Sequence, residues 1–136
     1  MQKLFFFSIL FILMNCASQK TTNIKEIIYN ATTRGRSENI TLRGNSLQYK
    51  THQESLYFNL TEKQREKVNK EISRINLSSI NNLKAPTNKR SYDGAMYTSI
   101  LIISGTKEYT STTFDNTNPP AELKALCELL ISLVQK

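Results

Sequence analysis

The sequence predicts an α+β fold in which a largely antiparallel sheet of about five strands carries two helices on one face. Two observations support this class. Between residues 24 and 51, and again between 95 and 114, β-branched and aromatic residues are interrupted by short Gly-containing turns, as in hairpins. Two other segments place apolar residues three or four positions apart, which is the spacing of an amphipathic helix.

The first half of the domain begins with three predicted antiparallel strands, at about 24–33, 37–43 and 46–51. Gly35 and Gly44 lie in the turns between them, where a residue without a Cβ turns the chain most easily. The next segment, "ESLYFNL", alternates apolar residues on one face. It either extends the third strand or leads into a helix.

Residues 61 to 64, "TEKQ", indicate the start of a helix. Thr61 and Gln64 have the spacing of a capping box, in which each side chain accepts a hydrogen bond from the other's backbone N–H. Val68, Ile72 and Ile75 follow on one face, and the helix should end near Asn76.

The second half repeats the order of strands and then helix. Asp93 and Gly94 turn the chain into a hairpin around Gly105, and Pro120 suits the first turn of the last helix, with Asn118 as its cap. The expected buried face of this helix comprises Leu123, Leu126, Cys127, Leu130, Leu133 and Val134. Because "ITLRGNSLQYK" and "LIISGTKEYTS" share a strand, a Gly turn and a strand with a Tyr, a repeated ββα unit is an alternative description.

The N-terminal segment predicts export. Lys3 precedes an apolar run from Leu4 to Met14, which is too short to span a bilayer and suits a signal peptide. The "LMNC" that follows resembles a bacterial lipobox, and this resemblance implies that Cys16 is lipidated and becomes the first residue of the mature protein. We therefore expect a signal peptide at 1–15, a lipidated Cys and polar tether at 16–23, and one α+β domain at 24–136.

Two other interpretations of Cys16 remain open. Ordinary signal cleavage after Ala17 would remove the cysteine, although Asn15 is larger than the residues favoured before such a cut. A disulfide between Cys16 and Cys127, the two cysteines of the chain, would require the signal to be retained.

The lipobox, together with "DGAMYTSILIISGTKEYTSTTFDNTNPPAELKALCELL", resembles small lipoproteins of the flavobacterial, or Bacteroidetes, type. The resemblance implies no particular activity, substrate or catalytic residue. By analogy with other bacterial lipoproteins, Ala17 after the cysteine and the absence of acidic residues before Glu26 imply the outer membrane, with the domain facing the periplasm.

The formal charge of +7 favours anionic partners. We expect an envelope-accessory or binding module, attached to the membrane through Cys16 and binding another envelope protein or an anionic polymer. No basic motif rich in aromatic residues accompanies the charge, so we expect no nucleic-acid binding. The domain is expected to be a monomer.

Few residues of the sequence suggest catalysis. His52 is the one histidine, and a pairing with Cys127 or a serine is less favoured than an exposed turn histidine. Metal sites and cofactors are not expected, since one His and one Cys within the domain cannot build a zinc site.

Asp93 and Asp115 are the two candidate ligand or turn residues, because they stand at opposite ends of the second predicted hairpin and could meet. An alternative function is therefore a small periplasmic hydrolase that uses both carboxylates. A second alternative is a protease-inhibitor-like domain that presents the loop at 84–93. Six tyrosines, mostly in predicted strands, could also form a platform for a ligand.

Overall fold

A computed structural model of the protein describes residues 23–135. The predicted signal peptide, Cys16 and most of the tether lie outside the described residues. The described chain has the α+β class expected from the sequence, with an open antiparallel sheet and two α-helices. The strands are β1 (Ile24–Thr33), β2 (Arg36–Arg43), β3 (Ser46–Thr51), β4 (Ser55–Asn59), β5 (Tyr97–Ser104), β6 (Lys107–Thr110) and β7 (Phe114–Asp115). The helices are α1 (Glu62–Ser73) and α2 (Ala121–Val134), with 3-10 helices at Leu77–Asn82 and Lys89–Tyr92.

The sheet has the strand order β4-β3-β2-β1-β5-β6, and β7 pairs with the beginning of β5. Every pairing is antiparallel. Strand β1 is therefore central in the sheet, and the two halves of the domain extend from it in opposite directions. The β1–β2, β2–β3 and β5–β6 turns use Gly35, Gly44 and Gly105 at positive φ, as the turn residues predict.

One face of the sheet forms the core, and within residues 23–135 the other face is left uncovered. Ile27 lies in register with Leu42 on β2 and Ile102 on β5, and all three are fully buried. Their neighbours along the strands point to the opposite side, where Ile28 and Leu101 remain partly exposed. The α-helices therefore cover a single face of the sheet, as expected.

Both helices bury the stripes that the sequence predicts. Val68, Ile72 and Ile75 are buried on or just after α1. On α2 the buried residues are Leu123, Leu126, Cys127, Leu130 and Leu133, while Val134 is partly buried. The side chains of both helices and of the sheet form one continuous core.

The capping box of α1 is confirmed. Thr61 Oγ1 accepts a hydrogen bond from the Gln64 backbone N–H at 3.2 Å, and Gln64 Oε1 accepts one from the Thr61 backbone N–H at 2.8 Å. Two N–H groups that the first turn leaves without intrahelical partners are thereby satisfied.

Because this cap contributes about 1 kcal/mol, we expect Thr61→Ala to lower the melting temperature by about 4 °C. The matched control is Ser73→Ala at the exposed C-terminal end of the same helix, where Ala is the better helix former. Thermal unfolding, monitored by circular dichroism, measures the melting temperatures of both variants. Equal melting temperatures for Thr61→Ala and the wild type would contradict a stabilising cap.

Four details differ from the sequence-based expectation. The sheet has seven strands rather than about five, because "SLYFN" forms the separate strand β4 and Phe114 and Asp115 form β7. Helix α1 ends at Ser73, about three residues early. Pro120, and not Asn118, occupies the N-cap of α2, without a side-chain cap. The halves share a hairpin, a short strand and a helix, but β4 extends the sheet beyond β3 whereas β7 pairs with β5.

Candidate functional site

Asp115 is fully buried at the end of the sheet and holds the preceding loop in place. Its Oδ2 accepts hydrogen bonds from Thr87 Oγ1 at 2.5 Å and from the Lys89 backbone N–H at 2.8 Å. Its Oδ1 accepts from the Arg90 backbone N–H at 3.1 Å and from Arg90 Nη1 at 2.9 Å. One carboxylate thus ties the segment 87–90 to the sheet, across 25 to 28 residues of sequence.

This environment keeps Asp115 ionised. Burial alone would raise its pKa, but the hydrogen bonds from Thr87, Arg90 and the two backbone N–H groups outweigh it and lower the pKa from 3.8 to about 2. Each oxygen already accepts two hydrogen bonds. Asp115 is therefore a structural anion near neutral pH and is not available as a general acid.

The anchored loop forms one wall of a cleft of about 390 Å³. The end of β1 and the β1–β2 turn form another wall. The lining residues are Thr32, Thr33, Arg34, Arg90, Ser91, Asp93 and Tyr97. Four of them carry hydroxyl groups and three carry formal charges, so the cleft is polar and rich in hydrogen-bonding groups.

Arg90 connects the buried carboxylate to this cleft. Its Nη1 donates to Asp115 and to the Thr87 carbonyl oxygen at 2.8 Å, and its side chain is only 16% exposed. Within residues 23–135, every side-chain hydrogen bond of Arg90 leaves from Nη1. These two contacts fix the direction of the guanidinium, which has five N–H donors in all.

Asp93 lines the same cleft but differs from Asp115 in its surroundings. It is exposed and ends the second 3-10 helix with φ of 59°, a left-handed conformation that Asp tolerates in turns. Both predicted aspartates thus lie at one end of the domain, and Asp93 has the turn position that the sequence suggests. The sequence does not reveal Asp115 as an anchor, because Thr87 and Arg90 are distant along the chain.

The surroundings of Asp115 do not favour its use in a carboxylate pair for hydrolysis. Such a pair needs two carboxyl groups that reach the same substrate, one of them with a raised pKa. Asp115 has a lowered pKa and is covered by Arg90 and the loop. Asp93 is left as the one carboxylate among the residues that line the cleft.

His52 and Cys127 belong to different environments. His52 is exposed in the β3–β4 turn, whereas Cys127 is buried on α2 among the apolar side chains of the core. Burial raises the pKa of the Cys127 thiol to about 12, with a further contribution from Glu128. A protonated thiol without access to solvent is a poor nucleophile.

We therefore expect iodoacetamide to leave Cys127 unmodified in the native protein at pH 8 and to modify it fully in 6 M guanidinium chloride. Alkylation at residue 127 is measured by peptide mass spectrometry. Rapid modification in the native state would show that the thiol is accessible and ionised, contrary to its position in the core.

The tyrosines are divided between core and surface. Tyr29 is 1% exposed, and burial raises its pKa to about 12. Tyr57, Tyr92 and Tyr97 are exposed, but only Tyr97 lines the cleft. They occupy separate places in the fold: an edge strand, a 3-10 helix and the start of β5. The exposed tyrosines thus do not gather into a single aromatic platform.

Within residues 23–135, no helix has the length and apolar character needed to cross a bilayer. No group of three or more His, Cys, Asp or Glu side chains in this part of the chain is arranged to hold a metal ion. No match to the chain is found among protein-family models, curated proteins or solved structures.

Proposed function

We propose that this protein is a lipid-anchored binding module of the bacterial cell envelope that holds an anionic polymer in the cleft beside the Asp115-anchored loop. Acylated Cys16 attaches the domain to the outer membrane on its periplasmic side. The "LMNC" lipobox and the apolar run before it support the anchor. Several acyl chains on one cysteine would hold the domain firmly, because a single chain binds only marginally.

The assignment of an anionic ligand rests on one observation. Arg34 and Arg90 line the same cleft from two separate segments, and Arg90 is fixed in direction by Asp115. A guanidinium that is already oriented loses little conformational freedom when it binds a carboxylate, sulfate or phosphate group. The hydroxyl groups of Thr32, Ser91 and Tyr97 add neutral hydrogen-bond donors beside it.

The charge distribution supports the same class of ligand. Asp115 neutralises one cation of the cleft and Asp93 contributes another negative charge, while Arg34 and the exposed Lys89 beside Arg90 remain positive. The whole chain carries a formal charge of +7, of which Lys3 is removed with the signal peptide, so the processed chain remains strongly basic. A repeated anion would gain from this wider field in addition to the local contacts, whereas a neutral polymer would gain only hydrogen bonds.

Binding of dextran sulfate to the processed full chain in mild detergent tests the ligand, with neutral dextran of the same length as the reference polymer. We expect Arg34→Gln to weaken binding to dextran sulfate about tenfold, since a charge-assisted hydrogen bond is lost. Lys67→Gln removes the same charge from the exposed surface of α1 and should change the affinity less than about twofold.

Equal affinity for the two polymers would contradict the proposed ligand. So would equal losses in Arg34→Gln and Lys67→Gln, because binding would then follow net charge rather than the cleft. If neither polymer binds but a protein of the envelope is retained through Arg34, the module binds a protein partner and the polymer assignment is wrong.

A further inference from the structure

The two edges of the sheet are protected differently. At one edge, β6 is four residues long, carries Lys107 and Glu108, and has the 3-10 helix Leu77–Asn82 lying against it. Charges, short length and covering elements are the usual protection against further strand pairing. At the other edge, β4 reads Ser-Leu-Tyr-Phe-Asn and contains neither charge nor proline.

Hydrogen bonds within the β3–β4 hairpin determine which groups of β4 face outward. The Thr51 N–H donates to the Glu54 carbonyl oxygen, and the Leu60 N–H donates to the Asn45 carbonyl oxygen. In an antiparallel ladder, hydrogen-bonded pairs alternate, so the even-numbered residues of β4 direct their backbone groups to β3. Ser55, Tyr57 and Asn59 therefore direct their N–H and C=O groups away from β3, to the edge with which no strand of residues 23–135 pairs.

The types of side chain along β4 are arranged symmetrically about Tyr57. Antiparallel pairing of two copies around Tyr57 would place Ser55 opposite Asn59, Leu56 opposite Phe58, and Tyr57 opposite Tyr57. Each polar residue would then lie opposite a polar residue, each apolar residue opposite an apolar one, and the tyrosine opposite its copy. No two like charges of the strand would face each other. A two-fold interface requires such a self-complementary surface.

From this symmetry we propose that two copies of the chain pair through β4 and join their sheets into one continuous antiparallel sheet. This replaces the monomer expected from the sequence. All three outward-facing residues would be satisfied, with six backbone hydrogen bonds around the two-fold axis. Leu56 and Tyr57, two of the large exposed apolar side chains, would each lie beside side chains of the other copy and lose part of their exposed surface.

The mass of the processed full chain in mild detergent, measured by light scattering over a range of concentrations, tests this proposal. We expect a dimer for the wild type. Tyr57→Lys places two positive charges opposite each other at the axis and should weaken association at least about tenfold. Tyr92→Lys is the matched control, because Tyr57 is 70% and Tyr92 is 71% exposed, and it should remain dimeric.

A second measurement tests the register in which the two β4 strands pair. Opposed residues in a hydrogen-bonded antiparallel pair have Cα atoms about 5.5 Å apart, which is within the range of a disulfide. Oxidation of Tyr57→Cys should therefore link two copies, whereas oxidation of Tyr92→Cys should not. A wild type that is monomeric at all concentrations would overturn the proposal. So would a dimer that Tyr57→Lys leaves intact, or a Tyr57→Cys chain that links only to a different protein.

Discussion

Replacing Asp115 by Ala is expected to lower the free energy of unfolding by about 3 kcal/mol, one of the two largest single-residue effects that we predict. The substitution removes the acceptor of four hydrogen bonds and leaves Arg90, which is only 16% exposed, without its partner. The cost arises mainly from uncompensated polar groups rather than from the lost attraction itself.

Chemical denaturation of the wild type, Asp115→Ala and Asp93→Asn measures this difference. Asp93→Asn is the control, since Asp93 is exposed and Asn accepts a left-handed turn conformation equally well. Its free energy of unfolding should change by less than about 0.5 kcal/mol. Similar values for the two variants would show that Asp115 is not an anchor.

The ionisation of Asp115 should account for part of the loss of folding stability at low pH. Its pKa is about 2 in the folded protein against 3.8 when unperturbed, so folding favours the ionised form. This contribution, about 2 kcal/mol, is fully present above pH 4 and is lost as the pH falls through 2. The stability difference between the wild type and Asp115→Asn should therefore shrink by that amount between pH 5 and pH 2. A difference that is independent of pH would contradict the lowered pKa.

Leu130→Ala is the second large effect, and we expect it to lower the free energy of unfolding by about 3 kcal/mol. Leu130 is fully buried on α2, so the substitution removes apolar contacts and leaves a cavity that the surrounding core fills only in part. The neighbouring Leu129 is only partly buried, and Leu129→Ala should cost about 1 kcal/mol.

Because both variants delete the same atoms from adjacent positions of one helix, their difference reports burial rather than helix propensity. Denaturant midpoints of the two variants measure it. Equal midpoints would mean that α2 presents a different face to the sheet.

The sequence predicts those parts of the fold that depend on local signals. Gly35 and Gly44 adopt positive φ in the turns where they were expected, and the strands beside them have nearly the predicted bounds. The Thr61 capping box needs only four consecutive residues. The buried stripe of α2 follows from the helical period alone.

A turn without glycine and the contacts between residues distant in sequence were missed. Strand β4 follows a turn without glycine, in which Thr51 Oγ1 accepts hydrogen bonds from the backbone N–H groups of Gln53 and Glu54. Asp115 stands in "FDNTNPP", a segment that is typical of an exposed turn, and its partners Thr87 and Arg90 reach it only in the folded chain. Arg34 joins the cleft because β1 is central in the sheet, which no local pattern indicates.

The anchor at Cys16 is the central claim of the proposed function, and the intact mass of the chain extracted from producing cells tests it most directly. We predict a mature chain that begins at Cys16 and carries the mass of a diacylglycerol and a fatty acyl group, and an unprocessed precursor for Cys16→Ala. A soluble chain that begins at Ser18 and is formed equally well by Cys16→Ala would contradict the lipid anchor.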